Sequence, residues 1–498
     1  MNVNPITRLD YPDPDVIRVE DTYYMVSTTM HFMPGCEILQ SFDLVHWEHV
    51  TYVYETLDHT DAQQLKSGQN IYGQGMWAAS LRYHEGRFCI CFVANDTRKT
   101  YLYTSEKIDG PWKKQLIEGF YHDGSLLFDE DGRNYIVYGN DEIWITELNE
   151  DLTAPKKDGL HRLLVSDHKN PELGYEGAHI QKINGYYYIF LVHSLRDRWM
   201  RTEACFYSDS LEGEFTGGDV LCDDRGYCGQ GVAQGGIVDT PDGKWYAMLF
   251  QDFGAVGRIP ILLPVTWKDH FPFFGQNGHV PEEIEVHSTR PGYIYQPLVG
   301  SDDFCNGLLP RWQFNHDPDP RYYHLDALQG TYTITTREVC TELTQAVNTL
   351  TQRMSYPSCA AEVTVDASAL KEGDVAGLCA LQGCYAAVGI TKHHGKYEVL
   401  MLDKKEDGIL DMTEGTVVES HQMDFRLEAD FCNMKDEARC YYRVNKGDWL
   451  PIGTVHKLYF KLDHFTGCRF GLFCYAAEET GGSACFRDFK YYDVDEIS

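Results

Sequence analysis

Asp131-Gly132-Arg133-Asn134-Tyr135-Ile136-Val137 sets a tight turn in front of an aromatic and β-branched run, the signature of a hairpin strand. The same pattern recurs at Glu20-Asp21-Thr22-Tyr23-Tyr24-Met25-Val26, Glu85-Gly86-Arg87-Phe88-Cys89-Ile90, Asn184-Gly185-Tyr186-Tyr187-Tyr188-Ile189 and Asp242-Gly243-Lys244-Trp245-Tyr246-Ala247. Five copies spaced roughly 45 to 65 residues apart have the period of propeller blades, in which each four-stranded sheet buries its faces against its neighbours. A second element follows several copies, a Ser-x-Asp-like turn closing on an aromatic: Ser41 to Trp47, Ser105 to Trp112 and Ser208 to Phe215. Two elements repeating in one order predict an all-β chain with a five-bladed β-propeller over residues 1–298.

The repeats stop after about Phe274, and a turn-rich stretch from Gly292 to Asp303 leads into a region without the blade pattern. Short alternating strands continue there, as in Ala360 to Val365, Tyr385 to Ile390, Tyr397 to Met401 and Phe470 to Cys474, and they predict a two-sheet β-sandwich over residues 301–498. The boundary is expected near Gly300.

Of the 498 residues, 43% are hydrophobic and 24% charged, which fits globular folding throughout. Forty-three basic against 75 acidic groups give a formal charge of -32, which repels nucleic acid and anionic lipid, so neither is expected as a partner. The N-terminus, Met1-Asn2-Val3-Asn4-Pro5, carries no basic and apolar leader pattern, and no stretch approaches about 18 consecutive apolar residues, so a cytoplasmic location is expected. The 16 Cys form no Cys-x-x-Cys pair and sit singly in apolar strands such as Phe88-Cys89-Ile90-Cys91-Phe92, where they are expected as free, buried thiols.

Three acids stand in Gly, Pro and aromatic turns: Asp13 in Tyr11-Pro12-Asp13-Pro14-Asp15, Asp123 in His122-Asp123-Gly124-Ser125, and Glu176 in Tyr175-Glu176-Gly177-Ala178-His179. Rigid flanks suit a carboxylate that must face a substrate. Cleaving a glycosidic bond takes two carboxyl groups in opposite protonation states, and acids on separate blades can converge where the inner ends of the blades meet. Between prolines, Asp13 suits a general base, or it caps a backbone N–H in an ordinary turn; Asp15 is expected to be structural. Glu176 suits a proton donor partly desolvated by Tyr175, or it is a surface loop Glu. Asp123, near both, is either a third acid or a turn residue.

With these motifs the chain resembles glycoside hydrolase family 43, in its β-xylosidase and α-L-arabinofuranosidase branch with a C-terminal β-sandwich of concanavalin-like jelly-roll type. The resemblance rests on Tyr11 to Asp15, on Met76-Trp77-Ala78-Ala79-Ser80-Leu81-Arg82-Tyr83-His84, on His122 to Phe128, on Tyr175 to His179 and on Gly254-Ala255-Val256-Gly257-Arg258-Ile259-Pro260. It implies Asp13 as general base, Glu176 as general acid and Asp123 as the carboxylate that tunes the acid. It implies Trp77 and Phe32 as aromatics lining the pocket and Arg258 as a hydrogen-bond donor to sugar hydroxyls. The implied activity is exo-acting, inverting release of terminal xylose or arabinofuranose from short oligosaccharides, with a sandwich loop over the pocket mouth. Such a mechanism places the two carboxyls about 6.5–9.5 Å apart.

No cofactor is required on this resemblance and no catalytic metal is expected. Many relatives carry an axis-facing His, often with bound calcium, in the segment that here reads Gly231 to Asp239; Gln234 is its nearest polar residue, so Gln234 joins the substrate-binding candidates and a structural calcium stays open. In the Glu176-Gly177-Ala178-His179 stretch, Ala178 also replaces the family's proline. Self-association into a homo-oligomer is compatible with these features. The rival readings are a non-catalytic, lectin-like sugar-binding protein and a propeller scaffold for protein partners.

Overall fold

The computed structural model describes residues 2–413 and 415–493, so Met1, Glu414 and the last five residues of the expected second domain lie outside the described residues. Five antiparallel sheets of four strands follow one another along the chain. Their innermost strands are Asp15–Val19, Met76–His84, Ser125–Phe128, Glu176–Ile183 and Ala233–Asp239, and each touches the next, the last returning to the first. This is a five-bladed propeller. Its ring is closed at the join by Asn4, whose amide donates to Leu262 O at 2.8 Å and accepts from Leu262 N at 3.1 Å.

The sequence pattern explains the blades. Second strands Arg87–Ala94, Tyr186–Ser194 and Trp245–Asp252 are buried almost end to end, because neighbouring blades cover both faces. The hairpins behind them turn through two left-handed residues, Glu85 and Gly86 (φ 49° and 77°) or Asn184 and Gly185 (φ 50° and 85°), the twist that matches flanking strands.

At the opposite, inner end of each blade the backbone does something the sequence does not announce. Near the start of each innermost strand one residue is in the left-handed region: Asp13 (φ 52°) and Asp123 (47°) two positions before it, and Ala78 (25°), Gly177 (66°) and Gln234 (60°) within its first three residues. In blades 2, 4 and 5 this residue lies in a β-bulge, where pairing breaks between Trp77 and Ser80, Glu176 and His179, and Ala233 and Gly236. A bulge bends the strand and re-aims its side chains. Four of the five are not glycine, so the ring stores backbone strain of about 1 kcal/mol or more at each.

The C-terminal part is a sandwich of a nine-stranded and a seven-stranded sheet, as expected. The edge of the nine-stranded sheet is Phe32–Met33, a strand lent by the first blade and paired with Gln313–Asn315 in the register Met33 to Phe314 and Phe32 to Asn315. One apolar cluster runs without a break from Phe190 and Ile261 in the blades to Leu378 and Phe470 in the sandwich. Arg353, buried in this junction, pairs with Glu37 at 2.8 Å, donates to Asp10 O and lies 4.1 Å over the Tyr11 ring. All the cysteines are unpaired, but Cys222, Cys228, Cys305 and Cys432 are exposed rather than buried, because they stand in turns outside the apolar strands.

Candidate active site

The left-handed ring gathers the three acids at one end of the propeller channel. Asp13, almost fully buried, accepts from Thr28 Oγ1 at 2.6 Å and from Arg258 Nη1 at 2.9 Å. Thr28 is itself oriented by the N–H of Ala78 at 2.8 Å, so blades 1, 2 and 5 together fix one carboxylate. Asp123 Oδ2 accepts the N–H of Gly177, which the bulge turns toward it, at 3.0 Å. Glu176, first residue of its strand, accepts from the Asn140 side-chain amide at 2.7 Å.

His122 stands between the last two, its Nε2 at 3.5 Å from both Asp123 Oδ2 and Glu176 Oε2. The charge of Asp123, with smaller contributions from Glu176 and Asp13, holds the imidazole up to about 9, so it is cationic at neutral pH. Burial pushes Asp123 up to about 6, with the charges of Glu176 and Asp13 adding to the rise and His122 opposing it. Asp13, Asp123, Glu176 and His122 therefore feel one another as a single electrostatic group.

Three polar atoms here are buried without a hydrogen-bond partner among the described residues: Arg258 Nε and Nη2 and Trp77 Nε1. Unfilled donors on the arginine that holds Asp13 and on the tryptophan beside His122 are available to a ligand that accepts hydrogen bonds. The Arg258 guanidinium is clamped between Phe250 and Phe465, with centroids at 5.4 and 4.3 Å. Phe465 also packs on Trp77 at 5.4 Å, and it comes from the sandwich loop that ends at Gly467, whose N–H donates to Asp10. The other oxygen of Asp10 accepts the Arg258 N–H at 2.8 Å, so one buried carboxylate ties the sandwich loop to the site arginine.

The remaining expected site residues differ in placement. Trp77 is half-buried beside His122 at 6.3 Å. Gln234 is buried, its side chain filling the space beside Gly177 where a Cβ would stand, and its N–H donates to the buried Glu203. Phe32 has no exposed face: Arg469 lies 3.4 Å over its ring and His31 packs at 4.3 Å, because its strand belongs to the sandwich sheet. The shielding of Glu176 expected from Tyr175 is replaced, since Tyr175 turns its ring onto His193 and Phe206. Sequence reasoning passed over His122, although it stands in the quoted motif, and gave no signal for Asn140, Thr28 or Phe465.

One layer down the channel is plugged. Asp15 accepts from Arg82 Nη1 and Leu81 N, both at 2.7 Å, and faces His179 Nδ1 at 3.1 Å. Its oxygens are spent and a guanidinium already supplies the positive charge, so the axial residues do not fit a structural calcium, which takes six to eight oxygens. In the layer above, ligand atoms of His122, Asp123 and Glu176 lie within 4.8 Å of one another and could hold a cation, but an imidazole suits a transition metal rather than calcium.

Residues 3–272 match the model of glycosyl hydrolases family 43, and residues 301–492 that of the β-xylosidase C-terminal concanavalin A-like domain. A β-xylosidase of Formosa agariphila is 27% identical, the match covering 99% of this chain and 89% of that protein. A non-reducing-end α-L-arabinofuranosidase of Bacteroides ovatus is 25% identical over 66% of this chain and 63% of its own. Among solved structures, a bifunctional GH43-CE protein of Bacteroides eggerthii superposes with a TM-score of 0.92 at 42% identity, covering all of this chain, which spans 64% of that protein's length. A family 43 hydrolase engineered to display both endo-xylanase and exo-arabinofuranosidase activity superposes at 0.86 with 27% identity over 99% of both chains.

Proposed function

The chain belongs to glycosyl hydrolases family 43 and is a glycoside hydrolase, and from that premise we propose that it releases a terminal xylose or arabinofuranose from short xylan- or arabinan-derived oligosaccharides with inversion. The observation that carries the reading is the channel end where acids from blades 1, 3 and 4 share one space with the unfilled donors of Arg258 and Trp77. In this reading the propeller lies within residues 1–298 and supplies the acids, while the sandwich from residue 301 supplies Phe465 as part of the wall.

Glu176 protonates the glycosidic oxygen as the bond to the anomeric carbon breaks, its electron pair leaving with that oxygen. A water held by Asp13 attacks the same carbon from the opposite face and passes its proton to Asp13. The Thr28 and Arg258 hydrogen bonds fix the Asp13 carboxylate while it orients this water, and free nitrogens of Arg258 bind sugar hydroxyls. Asp123 fixes the neighbouring Gly177 N–H, while the charged His122 and Asn140 hold the Glu176 carboxyl. The axial plug closes the channel below and Phe465 covers part of its mouth, which supports exo action. No step calls for a metal.

Asp13→Asn and Glu176→Gln should each lower kcat on an aryl xyloside or aryl arabinofuranoside by about 10² to 10⁴. On a pentosyl fluoride, whose leaving group needs no proton, the loss in Glu176→Gln should be much smaller, and NMR of the first-formed product should show the inverted anomer. Full activity in either variant would end the assignment. Tight binding of an oligosaccharide that stays intact for hours would favour the lectin-like alternative.

A further inference from the structure

The channel mouth is covered unevenly. Residues of the sandwich reach blades 1, 2 and 5: Phe465 lies on Trp77 and Arg258, His464 packs beside His31 and Tyr72, and Asp436 accepts the N–H of Ala255. Toward blades 3 and 4 the mouth is open. Asn140, which holds Glu176, is exposed, and so are all four residues from Arg196 to Trp199. These four lie between strands Tyr186–Ser194 and Arg201–Ser208, the turn from second to third strand of blade 4; the equivalent turn follows Asn140 in blade 3 and precedes Arg258 in blade 5.

Trp199 is 43% exposed, on the rim of the face that carries the acids. The Arg201 guanidinium lies 5.1 Å from its indole centroid and 5.3 Å from Phe250, the ring that also packs on Arg258. A row of contacts, Trp199, Arg201, Phe250 and Arg258, thus connects the rim of blade 4 to the arginine of the site. Arg201 is pinned by an ion pair with Asp252, whose second carboxylate oxygen is buried without a partner. A braced indole beside an open mouth offers a flat apolar face to the C–H side of a sugar ring.

The chemistry gives the direction. A proton donor must stand on the leaving-group side of the scissile bond. Glu176 comes from blade 4 and is partly exposed, so what lies beyond the glycosidic oxygen departs over that blade. We propose that Trp199, braced by Arg201, is the platform for the leaving-group sugar of a pentose-based oligosaccharide, the residue that becomes the new chain end. This rests on the glycosidase reading above.

The test compares a pentosyl fluoride, which places no sugar on this platform, with a pentose trisaccharide in the unaltered protein, Trp199→Ala and Trp199→Phe. Trp199→Ala should lower kcat/KM on the trisaccharide about tenfold, mostly through KM, while the fluoride changes by less than about twofold, and Trp199→Phe should recover most of the loss. Equal losses on both substrates, or no loss on the trisaccharide, would overturn the platform while leaving the glycosidase reading intact. If the unaltered protein cleaves neither substrate, the glycosidase reading falls and takes the platform with it.

Discussion

Two rings of residues sit two positions apart at the starts of the same five inner strands. The upper ring is Asp13, Ala78, Asp123, Gly177 and Gln234; the lower is Asp15, Ser80, Ser125, His179 and Gly236. A strand advances about 3.3 Å per residue, so the rings are close neighbours pointing into one channel. In the lower ring the hydrogen bonds are spent: Arg82 donates to Asp15 and Ser125, Ser125 accepts the Ile180 N–H, and Ser80 accepts the Leu126 N–H. Around the upper ring, donors of Arg258 and Trp77 are buried and unused. The same strands thus make a strut at one height and the candidate site at the next, and the difference is whether the protein satisfies its own polar groups.

The comparison breaks first if the lower ring is dispensable. Arg82→Met leaves the buried charge of Asp15 with only His179 and one backbone N–H, and should cost about 3–5 kcal/mol of stability, read by denaturant unfolding. An unchanged unfolding midpoint with activity abolished would mean that the lower ring acts in the chemistry instead. A middle-sized effect concerns His122. Its folded pKa of about 9 stands above the ordinary 6.5, so its stabilisation is full below about pH 6.5 and disappears as pH rises through 9. Melting temperature should fall up to about pH 9 in the unaltered protein, whereas in His122→Asn the fall should come from the Asp123 carboxyl alone and end at lower pH, and the acidic limb of kcat should move to higher pH because Asp123 loses the charge that opposes its rise. A parallel decline in both proteins would remove His122 from the electrostatic group.

The smallest effect sharpens the ring itself. Glu203 is fully buried, its carboxyl is pushed well up by burial, and its one hydrogen bond holds the left-handed Gln234. A raised carboxyl pKa means that stability falls as pH climbs above the ordinary value of 4.5. Glu203→Gln keeps the acceptor and removes the titration, so melting at neutral pH should rise slightly with activity kept. A lower melting temperature would show that Glu203 carries a charge after all.

The blades were legible because each repeats its own turn and aromatic strand, a signal local in sequence. The acids were legible because Pro and Gly mark Asp13, Asp123 and Glu176. The ring was not, since Ala78 and Gln234 adopt left-handed backbone without being glycine, and only the surrounding fold imposes that. Phe465 and Trp77 meet across most of the chain length, with no periodicity to announce it. Phe32 carried a pocket role on resemblance, and the pairing of its strand with Gln313–Asn315, which buries it, has no local mark either.

That two-residue pairing bears on how such enzymes are inherited. If Phe32 and Met33 finish a sheet whose other strands lie some 280 positions onward, the halves are not exchangeable cassettes: a transplanted partner would have to present a matching edge, a guanidinium like Arg469 for the Phe32 ring and a loop of the right reach for Phe465. Drift in either half is thereby policed by the other, and substrate preference can change fastest at the uncovered blades, where no such bargain binds the sequence.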